Sequence, residues 1–345
     1  SMKISVVVPF HNAARHLASC LEALAAQRFQ DAEFILVNNA SRDGSRRIAE
    51  GFTARFPGGR LRVVDEERAG ASVARNTGAR AARGEWLAFT DADCTPDPAW
   101  LDDLSNEIKN EGDVAAIAGQ VLPAAAHNTV SRFLAMYTLL PRSRPRRYRE
   151  FTLVAGGFPT ANFTIKRDLF ETLGGFDESI PIYGEDWDLC RRIYEAGHDI
   201  RALTTAIVRH THRSNLGGLI RQAYGFGRSH GLLLRRASTG AFIFIALLVR
   251  VAKMRAPCKV WIDLNQADKK LAALLIAGLV WHPLLVVSAV YMLYLCVAIF
   301  ARGRARNIRV RALETPVFAG LLLAKSAALG WGRLMGGLKH KVLCV

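Results

Sequence analysis

Six cysteines are scattered through 345 residues (Cys20, Cys94, Cys190, Cys258, Cys296, Cys344) with no C-x-x-C pair and no regular spacing. That argues against a zinc site or a disulfide framework and for a reducing compartment. Glycine-rich phosphate loops are missing too. With no G-x-G-x-x-G and no Walker run, dinucleotide and P-loop chemistry are disfavoured. No apolar leader opens the chain: Ser1 is set aside as foreign to the fold, and residues 3–8 run straight into Pro9 like a first core strand. Acidic residues are scarce in the last third. Residues 215–345 hold 19 Lys+Arg against 3 Asp+Glu, whereas residues 1–214 hold 27 of each. The net charge of +16 therefore belongs to that third, which also carries the long apolar runs. Basic plus apolar points to an anionic membrane surface; a nucleic-acid partner calls for basic plus polar.

The residues that are present centre on positions 84–93. A short apolar run from Trp86 to Thr90 reads as a buried central strand of a parallel sheet, ending in Asp91 and Asp93. Ligands of open α/β sheets sit beyond the carboxyl ends of the strands. Two carboxylates there suit a hard divalent cation that keeps water and substrate phosphate in its shell. Solvated turn aspartates would look the same in so short a motif.

Residues 4–8, 33–37 and 61–64 read as three further strands. Leu17, Cys20, Leu21 and Leu24 give helical spacing over residues 13–26. Residues 38–45 form a turn rich in locally bonding side chains, with Ser45 placed to cap the next helix. Gly70 opens a helix bearing Arg75 and Asn76, a natural cradle for a diphosphate. The strand–helix alternation gives a doubly wound, mostly parallel α/β half.

Taken together, Val8-Pro9-Phe10-His11-Asn12, Val37-Asn38-Asn39-Ala40-Ser41, Ala74-Arg75-Asn76 and the Gly84-to-Asp93 run resemble family 2 glycosyltransferases of the GT-A fold. The likeness continues through Ala161-Asn162-Phe163, residues 174–178 and residues 184–192, covering roughly residues 3–212. The resemblance implies that Pro9, His11 and Asn38 hold the nucleotide base. It sets Arg75 at the base and diphosphate, Asp91 at ribose and metal, and Asp93 as the direct ligand of Mn2+ or Mg2+. Asn162 and Trp187 would face the acceptor. One departure stands out: the family usually has aspartate where this chain has Asn38, so UDP is expected while GDP or another nucleotide stays open.

Tyr183-Gly184-Glu185-Asp186 precedes an amphipathic helix. Carboxylates at a helix start are often only capping groups. An acceptor hydroxyl, however, must lose its proton as it attacks the anomeric carbon, and a fixed carboxylate can take it. By the resemblance Asp186 is that base, with Glu185 helping to bind the acceptor. A base opposite the leaving diphosphate implies single displacement with inversion. Beyond the strand expected at residues 199–203, the resemblance favours His210 as the histidine completing the metal site, with His212 as runner-up.

Five arginines between residues 142 and 149 read either as a solvated basic loop or as a contact for anionic lipid. Residues 216–236 read as a basic amphipathic helix lying on a membrane, and residues 241–249 as a short interfacial segment. Residues 271–301 carry no formal charge, enough to span a bilayer. A hairpin turning at His282-Pro283 is the alternative; basic residues 269–270 and 302–311 flanking the run on both sides give it weight, and the two readings stay open. Residues 316–338 read as interfacial.

The expected organisation is a catalytic domain (2–214), basic interfacial helices (215–260) and a membrane-embedded or re-entrant helical region (261–345). The expected function is a metal-dependent, inverting transferase moving a sugar from a nucleotide diphosphate to a lipid or lipid-linked glycan at the cytoplasmic face of a bacterial inner membrane, with no nucleic-acid partner. The alternatives are transfer to a polyprenyl phosphate, which needs no base, and a non-catalytic nucleotide-sugar-binding relative.

Overall fold

The computed structural model describes residues 3–110, 112–151, 156–180, 183–236, 242–247, 250–255, 259–264 and 266–345. They form two compact units: residues 1–125 with 139–211, and residues 126–138 with 212–345. The expected regions 215–260 and 261–345 thus fall in one unit, which also recruits a short piece from within the catalytic sequence.

The first unit is built on one sheet. Its strands are β1 (Ile4–Phe10), β2 (Ala32–Asn39), β3 (Leu61–Glu66), β4 (Trp86–Phe89), β5 (Cys94–Pro96), β6 (Ala116–Pro123), β7 (Arg146–Tyr148), β8 (Phe163–Lys166) and β9 (Ile200–His210). The order is β3-β2-β1-β4-β8-β6-β9-β5, with β7 on β9. The first four are mutually parallel; β8 runs antiparallel to β4 and β6. The sheet is covered on both faces, which is why β1, β2 and β4 are continuous apolar runs. One face packs on α1 (Leu17–Ala25) and on α4 (Trp100–Asn110), through Leu21, Trp100 and Leu104. The other packs on α3 (Ala71–Ala81) and α7 (Glu185–Glu195), through Ala74, Leu189 and Ile193.

Two local expectations shift. Helix α1 begins at Leu17 because the Ala13 and Ala14 N–H groups are taken by Ser45 Oγ (2.8 Å) and Asp43 Oδ2 (3.1 Å). Ser45 is accordingly the first residue of α2 (Ser45–Gly51) rather than its cap, a position held by Gly44. Strand β9 is longer than expected because an irregularity interrupts it: Ala118 pairs with Ala202, but Gln120 pairs with Ile207. Such an insertion bends a strand and re-aims the residues beyond it. Ala206 takes up φ +50° there.

The basic loop is mostly pinned inside this unit. Arg142 donates to the Leu203, Ala118 and Gly119 carbonyls, and Arg147 pairs with Asp113 at 2.9 Å. Arg149 lies 3.4 Å from Asp199. Arg142 and Arg147 are thus held by protein partners, whereas Arg149 keeps 79% of its side chain exposed.

The second unit contains α5 (Thr129–Tyr137), α8 (Leu216–Arg236), α9 (Ala267–Val280), α10 (Pro283–Ala305) and α11 (Thr315–His340). Its core gathers Phe133, Leu134 and Met136 of α5 with Leu219, Ile299 and Phe318. Helices α8 and α11 run parallel and touch through glycine. A Cβ on Gly227 would lie 2.2 Å from Leu329 O, and one on Gly332 would lie 2.2 Å from Tyr224 O. Gly231 and Gly336 repeat the contact one turn on. Each helix presents a G-x-x-x-G pair, the spacing that lets two backbones meet closely.

Only α8 keeps the helical reading of residues 215–260. Residues 242–247 and 250–255 pair as antiparallel strands, and Val260–Asp263 joins them. Of the segment expected at 241–249, residues 241, 248 and 249 lie outside the described residues. The run 271–301 is broken at Trp281-His282, giving α9 and α10. They fold back on each other, with Tyr291 Oη 3.5 Å from Ala267 O.

Candidate active site

The carboxyl ends of β1, β2, β3 and β4 meet at one edge of the first sheet. Parallel register sets Pro9 beside Val37 and Asn38 beside Asp65. His11 Nδ1 donates to the Asn39 carbonyl at 2.6 Å, which leaves Nε2 to accept from Asn12 Nδ2 at 3.0 Å. Asn39 is a staple, donating to the Glu66 and Arg68 carbonyls and accepting from Gly70 N. Asn38 is buried; its amide nitrogen donates to Asp65 Oδ1 at 2.8 Å and its carbonyl accepts from Ser41 N at 3.2 Å. Asp65 also meets Arg46 at 3.0 Å and keeps 47% of its side chain exposed. Sequence reasoning missed Asp65. The strand-end rule that singled out Asp91 applies equally to the end of β3.

Beyond β4, Asp91, Asp93 and Cys94 place one ligand atom each within 4.8 Å of one another. The antiparallel pairing of β5 with β9 sets His210 opposite Cys94, with its Nε2 3.5 Å from Asp93 Oδ2. The irregularity in β9 makes that pairing possible, and the side chains that hold it are Asn162 and Asp103. Asn162 Nδ2 donates to the Gln120 and Ala206 carbonyls (3.0 and 2.6 Å), its Oδ1 accepts from Trp100 Nε1, and Ala206 N donates to Asp103 Oδ2. Asn162 is 1% exposed. It is a strut inside the sheet, not an acceptor contact. His212 falls in the second unit.

The donor set fits a divalent cation. Two part-exposed carboxylates with one imidazole suit Mn2+ or Mg2+. Cys94 adds no thiolate. Burial first, then the neighbouring aspartates, push its thiol well above the ordinary range, and it donates to Asp93 Oδ1 at 3.5 Å.

Arg75 joins this edge to α7. Its Nη2 donates to Asp91 Oδ1 (2.8 Å) and its Nη1 to Glu185 Oε1 (2.9 Å), with only 6% of the side chain exposed. Arg75 Nε and Glu185 Oε2 are buried without a hydrogen-bond partner among the described residues. One guanidinium thus connects two carboxylates that are far apart in the chain. It is held by protein on both sides rather than presented to a base.

Gly184, at φ +101°, turns the chain into α7 and sets Glu185, Asp186 and Asp188 in its first turn. Asp186 Oδ1 accepts from Trp187 N at 2.8 Å. Burial first, then the Glu185 carboxylate, push the Asp186 carboxyl up to about 8, against the pull of Arg75. Trp187 packs edge-on to Phe151 at 5.8 Å and lies against Gly157, where a Cβ would come within 2.6 Å of the indole.

Residues 5–174 match the model of the glycosyl transferase family 2. Glycosyltransferase AglE of Haloferax volcanii is 27% identical over 259 residues, 74% of this chain and 82% of that one. The glucosyl-dolichyl phosphate glucuronosyltransferase of the same organism is 27% identical over 56% of this chain and 64% of its own length. Other curated relatives are spanned over as little as 30% of their length. Among solved structures, the mannosyltransferase PcManGT from Pyrobaculum calidifontis, in complex with GDP-Man and Mn2+, superposes with a TM-score of 0.54. The match covers 95% of this chain and 87% of that one at 20% identity, a likeness of fold.

Proposed function

Because the chain belongs to glycosyl transferase family 2 and has its GT-A fold, we propose that it is an inverting, metal-dependent transferase. It moves a sugar from a nucleotide diphosphate to a hydroxyl of a lipid or lipid-linked glycan at the cytoplasmic face of a membrane. The observation that carries this is the Arg75 bridge, which brings a cation-and-diphosphate edge (Asp91, Asp93) together with a helix start bearing Glu185 and Asp186.

Asp91 and Asp93, with His210 beside them, would hold Mn2+ or Mg2+, which when bound neutralises the departing diphosphate. Asp186 accepts the acceptor hydroxyl proton as that oxygen bonds to the anomeric carbon. The bond from that carbon to the diphosphate breaks on the opposite face, and the nucleoside diphosphate leaves. A raised pKa makes Asp186 a strong base once ionised. Glu185 keeps Arg75 in place and holds one buried oxygen in reserve for the acceptor.

At the base end, Asn38 and Arg46 both bond to the Asp65 carboxylate and fix it at the strand ends, with about half of its side chain exposed. A fixed carboxylate there can accept the imide N–H of uracil, which supports a UDP-sugar. A lipid-linked acceptor agrees with the apolar, basic second unit and with the substrate for which the dolichyl-phosphate relative is named.

The test is the melting temperature of the detergent-purified protein with a panel of nucleoside diphosphates, each with Mn2+ or with chelator. A ligand that binds only the folded state raises it. Stabilisation by UDP that chelation abolishes is the expected result. No response to any nucleotide would overturn the reading.

A further inference from the structure

We propose that the second unit inserts into one leaflet of an anionic bilayer, with α9, α10 and α11 lying in its plane and none of them crossing it. This deepens the membrane part of the function proposed above and rests on it. Length does not decide the matter. Helix α10 has 23 residues, about 34 Å at 1.5 Å per residue, enough to cross a hydrocarbon core of about 30 Å. Charge and packing decide it.

Helix α11 is basic at both ends. Five arginines (302, 304, 306, 309 and 311) precede it, and Lys339 and Lys341 close it. The end of α8, with Arg235 and Arg236, is tied to that same far end by Arg235 Nη1 donating to His340 O at 3.3 Å. A crossing helix would leave one of these clusters on the outer side, against the rule that short basic flanks stay inside. Helix α9 gives an independent argument. Ala267 is level with Tyr291, well inside α10. An α10 that crossed the membrane would carry Asp268, Lys269 and Lys270 deep into the hydrocarbon, where such groups are costly.

Lying in the plane removes both conflicts. The apolar surface is continuous with that pose. Val280, Val286, Leu293, Val297 and Leu338 are each at least 60% exposed, far more large apolar surface than a water-facing helix layer carries. Trp281, at the turn between α9 and α10, is 62% exposed and suits the interfacial zone. The cationic ends then reach acidic headgroups of the same leaflet.

Sidedness tests the inference on the full-length chain. Asn307→Cys, between α10 and α11, and Lys341→Cys, just after α11, are made separately in a Cys258→Ser, Cys296→Ser background. The other native cysteines are buried. Each variant is labelled with a membrane-impermeant maleimide in inverted and in right-side-out inner-membrane vesicles. Retention of the UDP-dependent thermal shift shows that each variant is folded. The expected result is that both positions label at least about tenfold more strongly in inverted vesicles. Labelling of the two positions from opposite sides would show that α11 crosses and overturn the inference, leaving membrane attachment intact. Protein found free of the vesicles in both preparations would instead remove the membrane reading itself, and this inference with it.

Discussion

Asp186 carries the most information of any single residue. Its carboxyl, pushed up to about 8 by burial and by Glu185, is uncharged in the free protein at neutral pH. Raising the pH ionises it, so kcat/KM should climb with pH and level off above about 8. The sign for stability is opposite. The folded state holds this proton more tightly than the unfolded chain, so the group's contribution is complete below the ordinary value of 3.8 and is lost as pH rises through about 8. Asp186→Asn should lower kcat by a factor on the order of 10² to 10⁴ and erase that limb of the profile. An unchanged profile would show that another group takes the proton. Asp93→Ala should leave the fold intact and abolish the difference between Mn2+ and chelator in the thermal-shift assay. Asp65→Asn should weaken UDP binding by about 1 kcal/mol, the typical net worth of one hydrogen bond at a half-exposed group, as read by titration calorimetry. The carboxylates at 91, 93 and 186 were legible in the sequence because they end a recognisable strand or open a recognisable helix. Asn162 was legible as a position but not in its role. Its three bonds go to Gln120, Ala206 and Trp100, partners that local pattern cannot join.

The same limit governs the elements. Strands β1, β2 and β4 were readable because burial on both faces leaves largely apolar runs; β3, at the sheet edge, showed only the short apolar core Leu61, Val63 and Val64. The irregularity in β9 was not, since nothing in residues 199–210 announces where extra residues enter the ladder. Its importance can be measured. Asn162→Leu would strip partners from two backbone carbonyls and from an indole N–H, a destabilisation of roughly 3 kcal/mol. It should also weaken the Mn2+ response, because His210 would lose its alignment with Asp93. A fall in melting temperature with an unaltered metal response would separate the two effects and contradict the second. The glycine crossing of α8 and α11 invites a paired comparison. Gly332→Val should lower thermal stability sharply, since the added carbon meets Tyr224 O. Gly320→Ala, on the same helix with nothing within 4 Å, should raise it by about 0.5–1 kcal/mol through helix propensity. The hydropathy of residues 271–301 showed an apolar segment. Whether it ran straight or folded back depended on packing such as that of Gly278 against Leu285, 2.6 Å from where a Cβ would sit.

Across the whole molecule, charge is divided along with labour. Balanced residues 1–214 hold the candidate site, and the basic remainder holds the apolar helices. Vesicle binding should therefore strengthen with the fraction of acidic lipid and weaken with added salt, as measured by flotation. Binding indifferent to both would leave the arginines around residues 302–311 without a purpose. Helix α5 adds a constraint of another kind. It is drawn from the middle of the catalytic sequence, yet its Phe133, Leu134 and Met136 are buried among side chains that come far later in the chain, Ile299 and Phe318 among them. During synthesis this segment must leave the ribosome and wait, apolar and unpaired, until the last helices emerge. An interval in which an apolar segment is exposed and prone to aggregation thus follows from the order of the chain. A fragment stopped at residue 214 would make that interval permanent, and the cut that looks cleanest in the sequence should yield insoluble protein.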